Sequence, residues 1–300
     1  MWVPSAVVRS PIFTFLLIAA VGLTGAACSS SESTPPVARV SVSTPQQRVP
    51  VGSPLELTFR FEPTGERIEG DYVVFVHFTN ADGQVLWTDD HRPVTPTSAW
   101  QPGQPVEYTR TVFLAPNVLH PGDVGVDVGL YRDDQRLVLD GSRASRDTSR
   151  AYRVVDLQLA PESENVFLIY QTGWHPDEFS ADKTGRSWKW MQKSATVTFR
   201  HPRADVELLV ELGGRPDLFG AEPQQLSVIG ANGDTIAAWP VDSAEPVLHR
   251  VAVTSAQLGT ADLAELRFEV DRSFVPADVG AGSDTRELGA RIFNMFVKVR

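Results

Sequence analysis

One cysteine, Cys28, in 300 residues excludes an intrachain disulfide, so whatever folds here must be held by its core. Basic clusters are also missing. Lys and Arg number 27 against 37 Asp and Glu, giving a formal net charge of −10, and the cations are scattered along the chain. A protein that tracks a phosphate backbone needs a positive stripe, so nucleic acid is not an expected partner. The acidic balance likewise disfavours docking by charge on anionic lipid head groups. No apolar run reaches the roughly 20 residues that a helical membrane span requires. The nucleophile elbow G-x-S-x-G, the zinc motif H-E-x-x-H, the Walker loop and the dinucleotide fingerprint G-x-G-x-x-G are all absent. The chain is therefore read as non-enzymatic, with no cofactor and no metal.

What is present suits a loop-rich β protein: 22 Gly, 22 Pro and an apolar fraction of 42%. A length of 300 residues is about twice a typical domain and supplies two buried cores. The expected organisation is a signal at 1–27, a tether at 28–50, and all-β sandwiches at 51–159 and 160–300.

The amino terminus carries the sharpest signal. Arg9 precedes an apolar run from Ile12 to Val21, and the small residues Gly22, Gly25, Ala26 and Ala27 follow. Leu23-Thr24-Gly25-Ala26-Ala27-Cys28 resembles the lipobox of bacterial lipoproteins, with Gly25 where that family prefers Leu. The resemblance implies a diacylglyceryl group on Cys28, palmitate-type acylation and a membrane partner reached through the lipid. The alternative is ordinary signal cleavage after Gly25-Ala26-Ala27, which leaves Cys28 as a free terminal thiol. Ser29 to Pro36 is polar and Pro-containing, too poor in apolar surface to fold, and reads as a spacer above the membrane. Ser29 after the cysteine resembles the pattern sorted to the outer membrane where two membranes exist. The implied location is the cell envelope.

Period-two alternation places the strands. Leu55, Leu57, Phe59 and Phe61 alternate with polar residues, as do Val124, Val126, Val128 and Leu130. Tyr72 to Phe78 is apolar nearly throughout and predicts a central strand, with His77 as a core histidine. Asn80-Ala81-Asp82-Gly83 is a turn, and Trp87 and Trp100 read as rim aromatics. Asp133-Asp134 reads as a solvated turn rather than a calcium loop. Some seven or eight such strands without a helical stripe predict an antiparallel, immunoglobulin-like sandwich. Eight more between 166 and 299 predict a jelly roll, with Asn232-Gly233 as a two-residue type I′ hairpin turn.

Two clusters interrupt the second alternation: Trp174 to Phe179 with Trp188-Lys189-Trp190, and Gly282 to Gly289 with Asp284, Arg286 and Glu287. Trp188 and Trp190 share a face of one strand. The W-x-W and S-D-x-R-E-L-G segments, together with VFVHFTNADGQV in the first domain, resemble β-sandwich modules of bacterial cell-surface and glycosyltransferase-associated proteins. That resemblance implies an envelope-glycan setting. In a ligand-binding reading, Trp174, Trp188 and Trp190 stack on sugar rings while Glu178, Asp284, Arg286 and Glu287 bond hydroxyls. In a structural reading the indoles plug the sandwich and Arg286 pairs with Glu178 or Glu287 to pin a loop. Two further roles stay open: a non-catalytic subunit that docks sheet faces or edges on an envelope protein assembly, and a glycan hydrolase using Glu178 with Asp284 or Glu287.

Overall fold

The computed structural model describes residues 34–65, 67–141, 150–180 and 186–300. The signal, Cys28 and the first part of the tether lie outside the described residues. Among those described, no helix is long and apolar enough to cross a membrane. The chain is all-β, as expected, in two antiparallel sandwiches.

In the first, the strand Pro54–Pro63 buries Leu55, Leu57, Phe59 and Phe61 completely, and Gly122–Arg132 buries Val124, Val126, Val128 and Leu130. These strands sit in opposing sheets. One runs Val106–Phe113, Pro54–Pro63, Ala38–Ser43, Leu139–Asp140; the other runs Arg48–Pro50, Tyr152–Ala160, Gly122–Arg132, Val73–Thr79, Val85–Thr88. The amino-terminal segment is split between the two sheets, and its second piece, Arg48–Pro50, runs parallel to Tyr152–Ala160. That arrangement is immunoglobulin-like.

Residues 38–50, assigned from sequence to the tether, instead supply two of these strands. Ala38, Val40 and Val49 are buried, and Val40 lies opposite Phe61. Short apolar alternations broken by Pro45 and Pro50 are too brief to announce themselves; pairing with Pro54–Pro63 holds them.

His77 is the second correction. Its strand is central, but Val74, Val76 and Phe78 take the core side, so Phe75 and His77 point to the outer face. The His77 ring lies 4.6 Å from Phe75, and its Nε2 is 4.0 Å from Asp90 Oδ1. Trp100 is 1% exposed against Phe61, and Trp87 packs on Phe78. Asp133-Asp134 forms a tight turn with Asp133 at φ 52°, and no described group of His, Cys, Asp and Glu is arranged to hold a metal ion.

The second sandwich is a jelly roll. Counting its eight long strands from Ser187–Met191 to Arg291–Val299, the sheets read 1-8-3-6 and 2-7-4-5, with Trp174–Phe179 and Ile169–Tyr170 added at one edge of each. The hairpin at Asn232-Gly233 exists, but with another turn. Gly233 N–H bonds the Gly230 carbonyl, Gly230 N–H bonds the Asp234 carbonyl, and only Gly233 of the pair has positive φ. This is a four-residue turn with a left-handed glycine, the same device as Asn80–Gly83.

The sandwiches are braced where they meet. Asn165 Nδ2 donates to the Val51 carbonyl and its Oδ1 accepts from Ser53 Oγ, both at 2.8 Å. Arg48 grips Glu164 through two bonds of 2.6 and 2.7 Å. Arg250 of the second sandwich reaches Glu56 at 2.7 Å and Thr111 at 2.6 Å in the first.

Candidate functional site

The strand Trp174–Phe179 pairs with Ser187–Met191, placing Glu178 opposite Trp188, and Ser187–Met191 pairs in turn with the final strand, placing Trp190 opposite Arg291. This register brings most of the sequence-selected residues together, and it also decides which way they face.

Trp174 is half-buried against the main core, edge-on to Tyr170 at 5.0 Å, with Nε1 donating to the Thr196 carbonyl at 2.8 Å. Trp190 is 7% exposed and packs edge-on to Phe274 at 5.9 Å, in a small satellite cluster with Leu288. Trp188 packs on that cluster and is half-buried; its Nε1 donates to Glu178 Oε2 at 3.2 Å. Of the three indoles, Trp190 alone is buried, while Trp174 and Trp188 are both half-buried.

Arg286 is the hub of the polar side. Its Nη2 donates to Asp284 Oδ2 at 2.6 Å and to Glu178 Oε1 at 2.7 Å, while Nε meets both Asp284 oxygens. The Arg286 backbone N–H also donates to Asp284 Oδ1 at 2.9 Å, closing a tight turn. The guanidinium bonds hold the Asp284 carboxyl down at about 2, and the two carboxylates raise Arg286 in return. Glu287 stands apart from this triad: its Oε1 accepts from Ser273 Oγ at 2.7 Å, and its backbone carbonyl accepts from His175 Nε2 at 2.8 Å.

Arg291 is the participant the sequence did not single out. Its guanidinium carbon lies 5.6 Å from the Trp188 ring and 5.3 Å from those of Trp190 and Phe293, and Nη2 donates to the carbonyls of Ala244 and Gly214. Nε is buried with no partner among the described residues, and desolvation lowers the pKa of the group. The only clue in the sequence was alternation: Arg291 and Phe293 fall on one side of the last strand, but nothing there shows that this side meets the W-x-W strand.

The first sandwich carries a second polar arrangement, on the outer face of its larger sheet. Asp127 is 6% exposed and accepts from Arg153 Nε at 2.6 Å and from Thr79 Oγ1 at 2.9 Å. Arg153 lies flat over Gly125, where a Cβ would sit 1.9 Å from the guanidinium carbon, so glycine leaves the room it needs. A cleft of about 660 Å³ opens beside it, lined among others by Asn80, Asp123, Arg153 and Asp156.

No protein-family model matches the chain and no curated protein matches it. Solved structures with related folds include the CARDB domain of a Pyrococcus furiosus protein, at 12% identity over 42% of this chain and 96% of that one, with a TM-score of 0.26. The CBM51-2 and INT domains of Clostridium perfringens ZmpB are similar at 10% identity over 60% of this chain, with a TM-score of 0.24, and the native form of Escherichia coli alpha-2-macroglobulin at 14% over 87%, with a TM-score of 0.25. The chain spans 38% and 14% of the lengths of those two chains.

Proposed function

We propose that the chain is an extracytoplasmic, membrane-anchored scaffold that contacts other envelope components through its sandwich surfaces and performs no catalysis. The observation that carries this reading is the inward use of the site's chemistry. Trp190 is 7% exposed, Trp174 is bonded to the Thr196 carbonyl, and Arg286 is occupied by two carboxylates. Groups so engaged stiffen a module and leave recognition to its outer faces and edges. The brace of Arg48, Asn165 and Arg250 supports the same view, since it ties the two sandwiches together by hydrogen bonds. Anchoring follows from the Leu23–Cys28 resemblance to a lipobox and the polar spacer behind it. The test is co-purification of the membrane-extracted chain: a stoichiometric envelope protein supports the reading, and its absence in every extraction opposes it.

A second reading, recognition of an envelope polysaccharide, is favoured by one feature. Trp188 keeps part of its ring in solvent next to Glu178 and Arg286, and Phe179, at the end of the same hairpin, is 67% exposed. Affinity electrophoresis in polysaccharide gels tests it. Retardation that disappears in Trp188→Ala supports sugar binding, and equal mobility with and without polysaccharide excludes it.

A further inference from the structure

Near the junction, the outer face of one jelly-roll sheet ends in three large apolar side chains that stand in solvent: Phe167 at 77%, Leu263 at 53% and Ile169 at 39% exposure. Cross-strand register accounts for their company. Ile169 lies opposite Thr198 and Leu263 opposite Arg200, while Val197 and Phe199 turn the other way into the core. Further along, the same face is polar, with Thr196 and Thr198 opposite Arg267 and Glu265. The apolar triad, together with Arg200, lines a cleft of about 610 Å³.

Three facts define what fits there. Ile169–Tyr170 is the last strand of its sheet, so one side of its backbone meets no strand among the described residues. Arg203, beside the cleft, is matched by Asp262 at 2.6 Å, whereas Arg200 has no ion-pair or hydrogen-bond partner among the described residues. The exposed apolar area of the triad is on the order of 300 Å², short of the roughly 450 Å² of apolar surface contained in the roughly 800 Å² per partner that a stable globular interface buries. A short extended segment matches that footprint; a second copy of the chain does not.

We propose that this end of the sheet is a docking edge for an extended, apolar and acidic segment of another protein. The segment adds as a strand beside Ile169–Tyr170, sets apolar side chains against Phe167 and Ile169, and reaches Arg200, one strand further in, with a carboxylate, while Leu263 flanks Arg200 on the strand beyond. The inference deepens the scaffold reading by naming its contact surface and the chemistry of the partner, and it rests on that reading but not on the anchor.

The test uses the full chain in mild detergent and fluorescence anisotropy of a labelled eight-residue peptide that alternates Val and Glu, with a Val/Lys peptide as control. Saturable binding of the Val/Glu peptide is expected, at least tenfold tighter than the control. Phe167→Ser and Arg200→Glu should each weaken it at least tenfold, and Arg200→Glu should reverse the preference toward the Val/Lys peptide. Both side chains lie on the surface, so unchanged circular dichroism and melting verify that the variants fold. Absence of Val/Glu binding, equal binding of both peptides, or indifference to both substitutions overturns the proposal. Self-association lost in Phe167→Ser assigns the patch to a second copy and overturns it, as does Phe167-dependent binding to phosphatidylglycerol vesicles. Failure to find a lipid on Cys28 would remove the anchor while leaving this result intact.

Discussion

Replacing Trp190 by alanine separates a core tryptophan from a sugar platform. The side chain is 7% exposed, and an indole buries on the order of 200 Å², so at ~25 cal/mol per Å² the hydrophobic contribution is bounded near 5 kcal/mol. Truncations of buried Trp and Phe generally cost about 3–5 kcal/mol, because the surroundings close the void only in part. Here Phe274 loses its edge-on partner at 5.9 Å, and Arg291 loses one of its three aromatic neighbours. A loss of about 4 kcal/mol is expected for Trp190→Ala, against about 2 kcal/mol for the half-buried Trp188→Ala. Urea unfolding followed by far-ultraviolet circular dichroism measures both, with the m-value checked for constancy. A Trp190→Ala variant within about 1 kcal/mol of the parent, or one more stable than Trp188→Ala, would refute the inward packing of this strand.

Asp127→Ala should destabilise by about 2–3 kcal/mol, since it leaves Arg153, only 25% exposed, without its shortest partner. Asp156→Asn, which touches the same arginine from a 59% exposed position, should leave the melting temperature unchanged; equal effects would dissolve the distinction. Burial raises the Glu211 carboxyl, with nearby Asp89 adding to the rise, while the Asn294 bond and the Arg110 and Arg186 charges oppose it. A raised carboxyl binds its proton more tightly in the folded state, so its stabilising contribution is complete at acid pH and is lost as pH rises through the folded value. Glu211→Gln should therefore melt higher than the parent at pH 7 and match it near pH 3.5; a lower melting temperature at pH 7 would contradict this.

Much of the fold was legible because alternation reports burial directly. The Leu55–Phe61 and Val124–Leu130 series face the core as the period requires. The same rule misplaced His77, because it separates two faces without saying which lies outside when both are covered; Phe75 on the outer face is shielded by the Arg136 guanidinium 4.6 Å above its ring. Ala38–Ser43 escaped notice because its stability comes from a partner strand rather than its own pattern. The Asn232-Gly233 hairpin was visible, but whether one or both residues take positive φ depends on the bulge opposite Ile229. At the candidate site, shared orientation of Trp188 and Trp190 followed from spacing, and the link of Arg286 to Glu178 was one of the pairings sequence offered. Glu287 turned instead to Ser273, and Arg291 entered through cross-strand register, which links residues about 100 positions apart and leaves no local trace.

Anchoring is the premise that gives the scaffold its place, and the mass of the amino-terminal peptide of the mature chain tests it most directly. The account predicts a chain that starts at Cys28, carries a thioether-linked diacylglyceryl group, and enters the soluble fraction once Cys28→Ala removes the attachment point. A mature chain with an unmodified cysteine, recovered in the soluble fraction without any substitution, would contradict it.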